Sequence, residues 1–303
     1  MQENLHNEEW LHSCDLCGSM NYVVLQNSPD GLHRCGDCGL VQRPQNNIPE
    51  QLFSAVDEPL FTIALRQIIR RMEEPASESS ILIIGPPPAS TLNAIRDSHL
   101  NVTILVNYGE DAGLSGIPVQ FGSLENAPFR PEQFDVILCA RRTDTLNSTA
   151  TLFTRSRLWL RQGGLLFASG TNWGSIERRT FPGRWHARHR GGRTFPDAGL
   201  VKDYAARHCF TLLSSGTRSR IEEIAGIAFG SPAPSFLSLA AVMPLWLLSA
   251  LPGLGCTWWG ILVKRQYTSR PVLRRLEEET ERTPGLIAAG YSSAPREITE
   301  VEG

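Results

Sequence analysis

The stretch SILIIGPPPAST, residues 80–91, decides the reading of this chain. Ile81–Ile84 is a short, wholly apolar run that stops at Gly85. A strand that is apolar on both faces suits the interior of a parallel sheet, where helices cover each side. Outward from it the same punctuation recurs. Leu92–His99 reads as a helix, Val102–Val106 as a second strand ending at Asn107, Val119–Phe121 as a third and Phe134–Cys139 (FDVILC) as a fourth. Thr149–Arg161 reads as a helix, the QGG of 162–164 as a turn and Leu165–Ala168 as a fifth strand. Leu200–His208 is a further helix leading to a strand at Phe210–Ser214, and Thr257–Val263 (TWWGILV) makes the last strand. Strands alternating with helices predict an open α/β sheet with helices on both faces, and ligands on such sheets bind beyond the carboxyl ends of the strands.

Ahead of this sheet stand Cys14, Cys17, Cys35 and Cys38, in the spacing C-x2-C-x17-C-x2-C. That spacing reads as two knuckles closing a tetrahedral thiolate site around one zinc ion. Gly18 and Gly39 follow the second cysteine of each pair, where the backbone must turn sharply. All four ligand positions are filled by protein, so the predicted zinc is structural. The alternatives are two disulfides or a redox pair. The N-terminus MQENLHNEEW is acidic and lacks the apolar run of a secretory signal, so a reducing, cytoplasmic setting is expected, and there metal is favoured over disulfide. His12 and His33 are surplus to an all-cysteine site. Cys139, Cys209 and Cys256 are isolated and read as small core side chains.

A length of 303 residues allows one ordinary domain plus a small module, and a net charge of −2 does not announce a nucleic-acid protein. The expected organisation is a zinc ribbon at 1–45, a linker and helix at 46–79, the α/β domain at 80–266 and a charged C-terminal tail at 267–303. Phe61, Leu65, Ile68, Ile69 and Met72 recur at helical spacing within the linker.

The order of these segments resembles the class I S-adenosylmethionine-dependent methyltransferases, and within them the branch with an N-terminal zinc-binding domain that includes sugar C-methyltransferases. Three stretches carry the resemblance: PFRPEQFDVILC, LWLRQGGLLFASGTNWGS, and FPGRWHARHRGGRTFPDAGLVKDYAARHCF. It implies a Rossmann-like seven-stranded sheet, S-adenosyl-L-methionine as cofactor and a small-molecule methyl acceptor. Placed on this sequence, it implies that Gly85 lies under the cofactor, Asn107 touches the ribose, Ser123 and Leu124 flank the adenine, and His189 removes a proton from the acceptor. Asp135 is read as holding sheet loops. Two departures are visible. Pro86, Pro87 and Pro88 replace a glycine-rich turn and offer no N–H. Asn107 stands where the family has an acid, so a charge-assisted hydrogen bond becomes a neutral one. A catalytically inactive scaffold of the same fold is therefore the alternative.

Two further stretches bear on partners. Arg178–Arg193 holds Arg178, Arg179, Arg184, His186, Arg188, His189, Arg190 and Arg193, and is expected to form a basic loop over the site that holds an anionic substrate. Nucleic acid ranks low, because only Phe181 and Trp185 interleave with the arginines. From Ile224 to Val263 no charged residue occurs. Pro244, Pro252, Gly253 and Gly255 break this stretch into short pieces, so an apolar helical insertion at about 224–256 is expected. Its 236–256 portion offers a peripheral membrane contact, at the inner face of a membrane, or a dimer contact.

Overall fold

The structure, a computed structural model, describes residues 13–25, 31–43, 58–71, 79–97, 100–107, 116–189, 191–230 and 235–265. The C-terminal tail, Met72, His12 and Arg190 lie outside these. The strands are β1 (Tyr22–Val24), β2 (His33–Cys35), β3 (Val41–Gln42), β4 (Ser80–Ile84), β5 (Asn101–Val106), β6 (Val119–Phe121), β7 (Phe134–Arg142), β8 (Leu160–Thr171), β9 (Thr194–Phe195), β10 (Phe210–Arg218) and β11 (Thr257–Lys264). The helices are α1 (Glu58–Ile69), α2 (Ala89–Asp97), α3 (Thr149–Trp159), α4 (Ile176–Thr180), α5 (Pro182–Arg188), α6 (Leu200–Arg207), α7 (Ile221–Phe229) and α8 (Phe236–Ser249).

Seven strands form one sheet in the order β10-β11-β8-β7-β4-β5-β6. β4, β5, β6, β7 and β8 are parallel, while β11 runs antiparallel to both β8 and β10. This is the Rossmann-like seven-stranded methyltransferase sheet that the resemblance implied. The apolar run at its centre serves both faces. Ile81 and Ile83 pack with Leu60, Phe61 and Ile68 of α1 and Leu92 and Ile95 of α2. Leu82 and Ile84 pack on the other side with Leu152 and Phe153 of α3 and Leu200, Val201 and Tyr204 of α6. The alternation follows from the two-residue period of a strand. Strand order reverses between β4 and β7, which places a crevice at their carboxyl ends.

Some elements run longer than their apolar cores predict. β7 continues past Cys139 to Arg142, and Arg142 still pairs with Ser169 after a register shift. Hydrophobic periodicity stops at Ala140, so pairing alone carries the two arginines outward. β8 starts at Leu160, and the QGG predicted as a turn lies in the bulge between the Leu160 and Leu165 pairings. The expected apolar insertion is two helices, α7 and α8. The basic stretch is a correction: instead of an open loop it forms α4 and α5, with Trp185, His186 and His189 buried. Trp185 has Trp173 and Phe195 within 5.6 Å, centroid to centroid, which gives this segment a core of its own.

The cysteine module forms the second sheet, β1-β2-β3-β9. Its last strand comes from far along the chain, pairing Val41 with Phe195 and Gln42 with Thr194. Leu32 and Val41 share a core with Trp185, Phe195 and Ile227. Asp15 joins the module to α3: its carboxylate accepts from the Ala150 amide at 3.0 Å and from the Ser148 hydroxyl. A negative charge there meets the positive end of the helix dipole.

Candidate functional site

Three groupings of chemically capable side chains emerge. The first is the cysteine module. Gly18 and Gly39 have φ of 75° and 79°, as the knuckle turns require. Their amides donate to the carbonyls of Cys14 and Cys35. Cys14 and Cys38 Sγ lie 3.5 Å apart, as do Cys17 and Cys35 Sγ. These separations exclude disulfides, whose sulfurs sit about 2.05 Å apart. They are close to the roughly 3.8 Å edge of a tetrahedron built with Zn–S bonds of about 2.3 Å. Burial pushes the Cys35 thiol up, but the backbone amides of Cys38 and Asp37 and hydrogen bonds from Cys17 and Cys38 outweigh it and bring it down to about 7. Burial pushes Cys38 up to about 11. The four sulfurs together could hold a zinc ion.

The second grouping is a cavity of about 340 Å³ at the carboxyl edge of β4, β5 and β7, a size ordinary for small-molecule sites. Gly85, Asn107, Ser123 and Leu124 all line it. Leu105, Glu125, Arg141, Thr145 and Leu146 are among the other walls. Gly85 has φ of 90°, which favours glycine, and its amide donates to Leu105 O at 2.7 Å. The chain then leaves through Pro86–Pro88 and enters α2 at Ala89.

The third grouping lies on the far side of the Thr143–Thr145 turn, and it is where His189 sits. Arg142 Nη2 is 3.3 Å from His189 Nδ1, and His189 Nε2 is 4.0 Å from Cys256 Sγ. Cys256 Sγ in turn lies 3.7 Å from Glu223 Oε1. Arginine can only donate, so Nδ1 must accept, and the ring proton then resides on Nε2, facing Cys256. His189, Glu223 and Cys256 approach one another closely enough to surround a metal ion. An Nε2 that carries a proton has no lone pair for a metal, however, so this trio fits a hydrogen-bonded network better than a metal centre.

Asp144 organises the network. Its Oδ1 accepts from the Thr171 amide and its Oδ2 from the Thr171 hydroxyl, both at 2.8 Å, and Arg142 Nε lies 3.3 Å from Oδ1. Burial works against the Arg142 charge, but Asp144, Glu223 and Cys256 carry its pKa above the ordinary value. Nearby, buried Glu177 accepts from Ser219 Oγ, which itself accepts from the Cys256 amide at 2.8 Å. Burial raises the Glu177 pKa, and its Oε2 has no hydrogen-bond partner among the described residues.

The four residues expected at the cofactor thus share one cavity. His189 does not line that cavity but lies behind its Arg141–Thr145 wall, with both ring nitrogens facing protein groups. Asp135 sits at the opposite edge of the sheet, accepting from the Ser80 amide and from Arg161. Sequence reasoning missed Arg141, Arg142, Asp144, Glu177 and Glu223. The one available signal was the run ARRTD at 140–144, charges placed directly after a buried strand.

No protein-family model matches the sequence, and no curated protein matches it. Solved structures align with it. A geranyl diphosphate C-methyltransferase from Streptomyces coelicolor A3(2) is 10% identical over 68% of this chain and 81% of that chain, with a TM-score of 0.48. An S-adenosylmethionine-dependent methyltransferase from Mesorhizobium loti is 14% identical over 66% and 96% of the two chains, with a TM-score of 0.44. A Haloferax volcanii complex containing the Trm112 methyltransferase activator is 11% identical over 69% and 92%, with a TM-score of 0.49. The fold itself is defined by the strand order and directions given above.

Proposed function

We propose that this chain is an S-adenosylmethionine-dependent methyltransferase acting on a small metabolite. The observation that supports the reading is the convergence of Gly85, Asn107, Ser123 and Leu124, far apart in sequence, on one cavity at the ligand edge of the sheet. When bound there, the cofactor supplies an electrophilic methyl group on a sulfonium sulfur. Asn107 is proposed to hydrogen-bond the ribose, and Leu105, Leu124 and Leu146 to give apolar contact to the adenine. Arg179 and Arg184 are exposed on α4 and α5 and suit an anionic acceptor. His189 is proposed to accept the acceptor's proton, a role that requires Arg142 to leave Nδ1 and the acceptor to extend from the cavity to the His189 ring.

In this reading Cys14, Cys17, Cys35 and Cys38 hold a structural zinc ion. No described helix is long and apolar enough to cross a membrane. Phe236, Leu237, Met243, Leu247, Leu248 and Leu251 are exposed along and just beyond α8, and are proposed as a contact with a membrane surface or a second copy. A second reading, a scaffold without catalysis, is favoured by two observations: Pro86–Pro88, directly after Gly85, carry no amide N–H, and both His189 nitrogens face protein groups. Calorimetric titration with S-adenosylmethionine and S-adenosylhomocysteine separates the two. Micromolar binding supports the enzyme, and no binding at millimolar ligand supports the scaffold.

A further inference from the structure

Gly85 and Arg141 occupy neighbouring strand ends at the reversal point of the sheet. A Cβ at Gly85 would overlap the aliphatic part of Arg141, with Nε 2.9 Å and Cδ 3.0 Å away. Glycine is thus required here for the side chain laid across it as well as for its φ. Arg141 is only 7% exposed, yet it lines the cavity. Among the described lining residues it is the only cation. From Gly85 the chain continues into Pro86–Pro88, none of which carries a backbone N–H to offer a ligand. An anionic group seated at the Gly85 end meets the Arg141 guanidinium, the charged donor among neutral ones such as Asn107 and Thr145. Arginine suits a carboxylate because its parallel N–H groups match the two oxygens.

The geometry points to Arg141 as the anchor for the carboxylate of the cofactor's amino-acid end, taking over the work that backbone amides of a glycine-rich turn would otherwise do. This rests on the methyltransferase reading of the cavity. The opposite arrangement, in which Arg141 fills the space and keeps the ligand out, predicts effects of the opposite sign.

The test uses the full-length chain, two ligands and two variants. S-adenosylhomocysteine carries the carboxylate; 5′-methylthioadenosine keeps the nucleoside and thioether but lacks the amino-acid end. Arg141→Met retains the apolar stem over Gly85 and removes the fork, and Arg141→Lys keeps the charge without the fork. The expected result is a loss of at least about tenfold in S-adenosylhomocysteine affinity for Arg141→Met, a smaller loss for Arg141→Lys, and methylthioadenosine affinity within about twofold of wild type for both. Unchanged or tighter S-adenosylhomocysteine binding overturns the inference, and so does an equal loss for both ligands, while the methyltransferase reading stands. Wild-type protein that binds neither ligand at millimolar concentration removes that reading and this inference with it.

Discussion

Tyr204 donates its hydroxyl to the Asp15 carboxylate at 3.0 Å, across 189 residues of chain. The tyrosine is buried in the core beside the sheet, and the aspartate sits in the first cysteine knuckle. Burial first, then the Asp15 charge, raise the Tyr204 pKa well above its ordinary value, so the phenol remains a donor throughout the working range of pH. Asp15→Ala leaves a buried hydroxyl and the start of α3 without their acceptor. It should lower stability by about 2 kcal/mol. Denaturant unfolding of Asp15→Ala, Tyr204→Phe and the double variant should give coupling between the two sites; strictly additive effects would break the link.

The cysteine module should carry about one zinc ion per chain, measured by elemental analysis. Cys14→Ser or Cys38→Ser should abolish it. Because thiolates are the ligands, protons compete with the metal. With Cys38 held up at about 11 and Cys35 near 7, zinc affinity should fall steadily as pH drops from 8 to 6, read by competition with a chromophoric chelator. A pH-independent affinity would contradict thiolate ligation.

Glu177 gives a signed pH effect. Burial raises its pKa in the fold, so the folded state takes up a proton that the unfolded chain releases. Its contribution is favourable below the ordinary carboxylate pKa and is lost as pH rises through the raised value. Glu177→Gln imitates the protonated form. The variant should match wild type at acid pH and exceed it at neutral pH. Thermal melting points across pH 4–8 check this, and equal slopes for the two proteins would refute it.

Asp144→Asn removes the anion beside Arg142 and one acceptor of the Thr171 pair. Leaving a buried arginine short of its partner costs about 3 kcal/mol or more. A urea midpoint unchanged from wild type would show that Arg142 is compensated elsewhere.

Phe236 and Leu237 are 82% and 78% exposed. Replacing both with serine should leave stability within about 0.5 kcal/mol, while lowering association with vesicles or self-association measured by sedimentation. Unaltered association would remove α8 from consideration as a docking face.

The parts of the fold written in local periodicity were readable in advance. Ile81–Ile84 and Val119–Phe121 declared strands, and the cysteine spacing declared its module. What escaped depended on long-range pairing. Arg141 and Arg142 look like a solvated turn in sequence because no apolar period extends to them; only pairing of β7 with β8 makes them strand. Thr194–Phe195 carries no strand signal of its own length and becomes one against Val41 and Gln42. The basic stretch misled for a related reason. Its arginines suggest solvent, whereas Trp185 and His189, spaced one helical turn apart, turn inward together. Asn107, Ser123 and Leu124 were named from the family resemblance, which puts the cofactor at the strand ends, and their shared cavity lies at that edge.

Among the described strands β9 pairs with β3 alone, so its extended form is borrowed from the sheet that carries the cysteine knuckles. The polypeptide immediately before it carries His189 and the tryptophan core around it. On the proposed zinc reading, removing the metal would slacken the packing of Leu32 and Val41 against Trp185 and Phe195, and with it the support beneath His189.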